Sequence, residues 1–142
     1  MAGSVPEAAD LVVTDPIGPK AARPASTVEL TLDDYQFALS RPLDAGRHLV
    51  HIRNQGREPH EADVFRLPDR ATVNDYTAWL QHEVGLPPVE PVGGIGDVVP
   101  GNEIWLELDL RPGRYFILCT VTAATDSQPH YRHGMLLEFT VK

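Results

Sequence analysis

Six histidines and a single cysteine occur among the 142 residues of the chain, and the thiol lies near two of the imidazoles. Cys119 closes an apolar run, Tyr115-Phe116-Ile117-Leu118-Cys119. After a loop come Pro129-His130 and then His133-Gly134-Met135. Another imidazole, His60, follows the Gly-containing stretch Asn54-Gln55-Gly56 at the start of a further extended segment. One thiolate, two imidazoles and one thioether make a soft, mixed nitrogen and sulfur donor set. Such a set favours copper, with the thioether as a weak axial ligand. Magnesium and calcium take oxygen ligands, and zinc seldom takes a thioether beside a thiolate and imidazoles. One cysteine excludes both a disulfide framework and a Cys-rich zinc site.

Residue type does not separate His130 from His133. Pro129 fixes its own φ and restrains the entry to His130. Gly134 permits a bend that returns Met135 toward the same ion, leaving His133 on the outer side of the turn. Against this, residues two apart on an extended strand face the same way, so His133 and Met135 could both reach a metal. His48, His51 and His82 fall on strand or helix faces and read as structural or solvated. Trp79 and Trp105 read as packing residues.

No other motif points to catalysis. There is no Gly-x-Ser-x-Gly elbow and no P-loop, and Gly93-Gly94-Ile95-Gly96 does not open a helix. Asp33-Asp34 reads as a solvated carboxylate pair in a turn. The chain carries 12 Lys and Arg against 20 Asp and Glu, a net charge of −8, with no basic run. That argues against a nucleic-acid role, because phosphate binding needs clustered cations. It favours a positively charged partner through long-range steering, or serves only to keep the protein soluble. No apolar run is long enough to span a membrane. No basic and apolar leader is visible over Met1 to Pro24.

The elements that must position the donors are short. Residues 1–26 read as a tail with one apolar patch, Leu11-Val12-Val13. Residues 27–142 read as one domain. Val28, Leu30 and Leu32 alternate with polar residues, as in a half-buried strand. Tyr35–Leu39, His48–Arg53, Ala62–Leu67, Ile104–Leu110, Arg114–Cys119 and Met135–Val141 read as further strands. The only helical spacing, Val73, Tyr76, Trp79 and Leu80, predicts a helix over Ala71 to Glu83 stopped by Gly85. Pro87 to Gly101 reads as a long loop, and Thr120 to Gly134 as a polar loop without regular pattern. Many short strands with Gly and Pro turns predict an all-β sandwich with one inserted helix.

Three segments together resemble the cupredoxins, the blue-copper family of plastocyanin, azurin and the copper nitrite reductases. Asn54-Gln55-Gly56-Arg57-Glu58-Pro59-His60 resembles the loop ending in Pro-His. Leu110-Arg111-Pro112-Gly113-Arg114-Tyr115-Phe116-Ile117-Leu118-Cys119-Thr120 resembles the Pro-Gly-x-Tyr strand that ends in the ligand cysteine. Pro129-His130-Tyr131-Arg132-His133-Gly134-Met135 resembles Pro-His-x-x-x-Gly-Met. The match runs from about Thr27 to Lys142, with residues 71–96 as an insertion. It implies a Greek-key β-sandwich in which His60, Cys119 and His130 hold copper trigonally, with Met135 long and axial. Two departures stand out. Ten residues, Thr120 to Pro129, separate Cys119 from His130, a long loop beside that of plastocyanin and closer to the nitrite reductases. Glu61 follows His60 where plastocyanin and azurin carry an Asn that ties the ligand loops together. An ionised Glu cannot donate that hydrogen bond, and its charge near the metal would favour Cu(II).

The resemblance implies a mononuclear copper protein that carries single electrons, not an enzyme. The expected setting is periplasmic or otherwise extracytoplasmic. The expected partner is a redox protein with a basic docking surface, met by this chain as a monomer. The alternatives are a copper module for storage, delivery or sensing, and a metal-free interaction domain of the same fold.

Overall fold

The computed structural model describes residues 12–15 and 17–142. Part of the expected tail lies outside those residues. Its described part carries no strand or helix, and Val12, Val13 and Ile17 are exposed. From Val28 onward the chain forms eight strands and one α-helix: β1 Val28–Asp33, β2 Gln36–Leu39, β3 Gly46–Asn54, β4 His60–Leu67, α1 Val73–Trp79, β5 Glu90–Val98, β6 Glu103–Leu110, β7 Gly113–Leu118 and β8 Leu136–Val141. A 3₁₀ helix spans His130–His133. No helix among the described residues is long and apolar enough to cross a membrane.

The strands build two four-stranded sheets, ordered β2-β1-β3-β6 and β5-β4-β7-β8. β6 returns to pair antiparallel with β3, and β7 inserts between β4 and β8. This over-and-back path is the expected Greek-key sandwich. Alternate residues of facing strands fill the space between the sheets: Leu30 and Leu32 from β1, Val50 and Ile52 from β3, Ala62 and Val64 from β4, Tyr115 and Ile117 from β7. Period-two alternation is what a strand with one buried face requires.

β7 breaks that alternation because both of its faces are covered. Tyr115 and Ile117 point into the sandwich. Phe116 and Leu118 point outward into a second cluster with Phe65, Leu67, Val73, Tyr76 and Val89. α1 lies on that outer face and supplies Val73 and Tyr76. The continuous apolar run ahead of Cys119 is therefore the mark of a strand buried on both sides.

α1 is shorter than its spacing predicts. It starts at a capping box, in which the Thr72 hydroxyl accepts from the Asp75 N–H and the Asp75 carboxylate accepts from the Thr72 N–H. It ends at Leu80 rather than near Gly85. The Trp79 carbonyl accepts from both His82 and Glu83 N–H groups, and Glu83 enters the left-handed region at φ 49°, so the chain turns away. The larger correction is β5. The stretch read as a loop and part of an insertion is a strand paired with β4, with register shifts on β4 between His60 and Ala62 and between Val64 and Phe65. Its glycines hide it from pattern reading, and contact explains two of them, Gly93 and Gly94. A Cβ on Gly93 would lie 2.9 Å from Leu108 Cδ2, and one on Gly94 would lie 2.5 Å from Asp63 Oδ1.

Gly94→Ala should therefore lower stability by about 1–3 kcal/mol through overpacking, because Asp63 Cα and the Ala62 carbonyl stand behind the side-chain clash. Chemical denaturation reads this as a lower midpoint at unchanged slope. An unchanged midpoint would mean that β5 does not press on β4.

Candidate metal centre

His60 is the first residue of β4, and Cys119 directly follows β7. These strands pair antiparallel with Asp63 opposite Leu118, which brings both residues to one end of the sandwich. The Glu61 N–H points at Cys119 Sγ, 3.4 Å away. The loop after Cys119 is ordered rather than patternless. Thr122 bridges Pro129, and the Ala123 N–H donates to the Gln128 carbonyl at 2.8 Å. His130 N–H donates to the Val121 carbonyl at 2.8 Å, and Tyr131 N–H to the Cys119 carbonyl at 3.0 Å.

Pro129, at φ −60°, delivers His130 into the 3₁₀ helix, and Gly134 closes that helix at φ 106°, a left-handed conformation that favours glycine. Met135 N–H then donates to the His130 carbonyl at 3.1 Å, and Cys119 N–H to the Met135 carbonyl at 3.2 Å. The backbones of Cys119, His130 and Met135 are thereby tied into one closed knot. All three side chains, and that of His60, are fully buried.

The donor atoms of His60, Cys119 and His130 all lie within 4.8 Å of one another. His60 Nδ1 and His130 Nδ1 are 3.0 Å apart, and Cys119 Sγ is 3.5 Å from His130 Nδ1. The outer nitrogens meet carboxylates: His60 Nε2 lies 3.3 Å from Asp34 Oδ1, and His130 Nε2 lies 3.1 Å from Glu58 Oε2. An ionised carboxylate only accepts, so each favours a proton on the Nε2 it faces and leaves the inward Nδ1 to accept. Two imidazole nitrogens facing each other beside a sulfur, sealed from water, suit a cation. Two imidazole nitrogens and a thiol, with the buried Met135 tied by its backbone to Cys119 and His130, fit copper. His133, the competing imidazole, stands exposed with Nε2 3.1 Å from Asp126 Oδ1.

Asp34, Tyr35 and Glu58 surround this cluster, and sequence reading did not single out the latter two. Asp34, expected in solvent, accepts from the Arg57 N–H at 2.8 Å and the Glu58 N–H at 3.3 Å, and from the Arg57 guanidinium at 3.1 Å. Burial opposes its ionisation, but those donors win and hold its carboxyl at about 2. Glu58 is also held below the usual carboxylate range, chiefly by the Ala124 N–H, against burial and with help from Tyr35 and His130. Tyr35 sits at φ 65°, a conformation that costs about 1–3 kcal/mol for a residue with a side chain. Its hydroxyl donates to Glu58 Oε1 at 3.0 Å, and its ring lies 5.0 Å from that of His130 and 4.8 Å from that of His133.

The remaining groups complete the electrostatics. Burial pushes the Cys119 thiol up to about 11, against the N–H groups of Glu61 and Val121. Burial, then repulsion from His130, lowers the pKa of His60. Glu61 does tie the ligand loops, with donor and acceptor exchanged. The Thr120 hydroxyl donates to the Glu61 carboxylate, 3.1 Å from each oxygen. Burial and the neighbouring Asp63 carboxylate raise the Glu61 pKa. The other histidines lie elsewhere. His48 bonds the Asp44 carbonyl, His51 stacks on Trp105 and pairs with Glu103, and His82 is exposed.

No family model matches the chain, and no curated protein matches it. Solved structures that share its fold include two auracyanins. Dithionite-reduced auracyanin from the photosynthetic bacterium Roseiflexus castenholzii is 17% identical, with a TM-score of 0.56 over 80% of this chain and 94% of that one. Auracyanin B is 18% identical, with a TM-score of 0.52 over 85% of this chain and 93% of that one. Auracyanin is a cupredoxin. The chain has the cupredoxin fold.

Proposed function

We propose that the chain binds one copper ion through His60, Cys119 and His130, with Met135 as a weak axial ligand, and serves as a one-electron carrier. The observation that carries this reading is the sealed cluster itself, with its donor atoms within 4.8 Å and the Nδ1 atoms of both histidines turned inward. Copper bound there supplies a Cu(I)/Cu(II) couple. The chain supplies rigidity. β4, β7 and the knotted loop leave the ligands little room to move, which keeps reorganisation between oxidation states small. That one of the structural neighbours is a dithionite-reduced protein accords with redox chemistry.

Burial favours the carrier over a delivery module, because handing copper on requires a ligand that a partner can reach. None of the three donors is exposed. An electron needs no such access: Asp34 and Glu58, with side chains 21% and 19% exposed, form a cover one residue thick. The unit carrying the function is the domain of residues 27–142. Its setting is extracytoplasmic. Its partner is a redox protein with a basic surface, drawn by the net charge of −8.

Addition of Cu(II) to metal-free protein should give one bound ion per chain and an intense blue or green thiolate-to-copper band. Cys119→Ser should abolish the band while circular dichroism stays unchanged. A band that persists in this variant would sink the assignment of the thiolate.

The two competing imidazoles separate by substitution. His130→Ala should destroy the coloured site, and His133→Ala should keep it with little change in potential. The reverse pattern would transfer the ligand role to His133.

Met135→Leu should leave a coloured site and raise its reduction potential, since loss of the thioether disfavours Cu(II). Voltammetry that finds the potential unmoved would make Met135 a core residue only.

A further inference from the structure

Asp34 and Glu58 have the placement of a matched pair. Each offers an oxygen to the outer nitrogen of one histidine, and each is itself fixed by backbone donors from a different segment. Asp34 Oδ1 takes the N–H groups of Arg57 and Glu58, while Glu58 Oε2 takes the N–H of Ala124 at 3.1 Å. Tyr35 locks the second oxygen of Glu58. Gly56 fits the same design: a Cβ there would lie 2.5 Å from Asp34 Oδ1 and 2.7 Å from His60 Nε2. Any larger residue would wedge the carboxylate away from the imidazole.

We propose that Asp34 and Glu58 are paired positioning residues that hold His60 and His130 in the Nε2–H form and bias the bound metal toward Cu(II). This rests on the copper reading. Two effects follow from the same contacts. Accepting from Nε2–H fixes each ring and raises the basicity of Nδ1, as outer-shell carboxylates do for metal-bound histidines. The carboxylates also add charge. Cu(II), the Cys119 thiolate and the two carboxylates sum to −1; Cu(I) in the same place sums to −2. The balancing guanidinium of Arg57 is 93% exposed and screened by water. The added electron therefore enters a site that is already negative, and the oxidised ion is favoured.

Amide and apolar variants separate the two effects. Asp34→Asn and Glu58→Gln keep an oxygen that can accept from Nε2–H but remove the charge. Each should retain the coloured site and shift the preference for Cu(II) over Cu(I) about tenfold, which is about 59 mV upward in potential. Asp34→Ala and Glu58→Leu remove the acceptor too, and each should lose about 10- to 100-fold in Cu(II) affinity. Gly56→Ala leaves both charges in place and should weaken copper binding through His60 alone.

Nitrogen-15 NMR of the metal-free protein reads the histidine tautomers without copper. It should find Nε2 protonated on both rings in the wild type and in the amide variants, with the preference lost at the affected ring in the apolar ones. Copper binding with unchanged potential, affinity and tautomers across the variants would overturn the proposal. A wild type that gives no coloured Cu(II) complex, yet shows both Nε2–H tautomers, would instead overturn the copper reading and with it the bias toward Cu(II).

Discussion

Two imidazole nitrogens stand 3.0 Å apart in a pocket closed to water, and nearly everything at this end of the sandwich acts to keep them there. Lone pairs at that separation repel unless a proton or a metal ion lies between them. Left to themselves the rings would rotate or flip. They are held from outside, by carboxylates at both Nε2 atoms, and from below, by a knot of backbone hydrogen bonds through Cys119, His130 and Met135. The site is a small region of unfavourable contacts that the fold over-determines, as functional sites often are.

Several otherwise odd choices become intelligible from that constraint. Tyr35 accepts a left-handed backbone because its hydroxyl fixes Glu58 and its ring packs on His130. Gly56 is small because Asp34 must reach His60. Thr120 follows Cys119, and its hydroxyl supplies the hydrogen that Glu61 lacks. The acidic residues near His60 and His130 are thus structural parts of the cluster as well as part of the acidic surface.

The sandwich gives these contacts a rigid base. β7 runs directly into Cys119 and is buried on both faces, by the opposite sheet and by α1. A strand packed on both sides moves little, because displacement on either face opens voids that dispersion contacts resist. α1 therefore contributes to the site without touching it. Tyr131, next to His130, packs against the same outer cluster and links the ligand loop to that face.

The sequence by itself determined the donor types, their order, and the elements that end at them. Alternation revealed β1, β3, β6 and β8, and Pro-His, the terminal Cys and Gly-Met marked the loops. These signals are legible because they are local: a strand with one wet face must alternate, and a proline or glycine acts on its own backbone. β5 stayed hidden because Gly93 and Gly94 answer to Leu108 and Asp63, residues distant in the chain. The extent of α1 was overread because spacing does not report where the chain turns off. Asp34 looked like an ordinary solvated acid, and Glu58 did not stand out within its loop. Asp34 lies 26 residues from the histidine it holds, and Glu58 lies 72 residues from His130. Only the tertiary structure decides which carboxylate meets which imidazole, because a hydrogen bond depends on where two groups finally lie and not on how far apart they are along the chain.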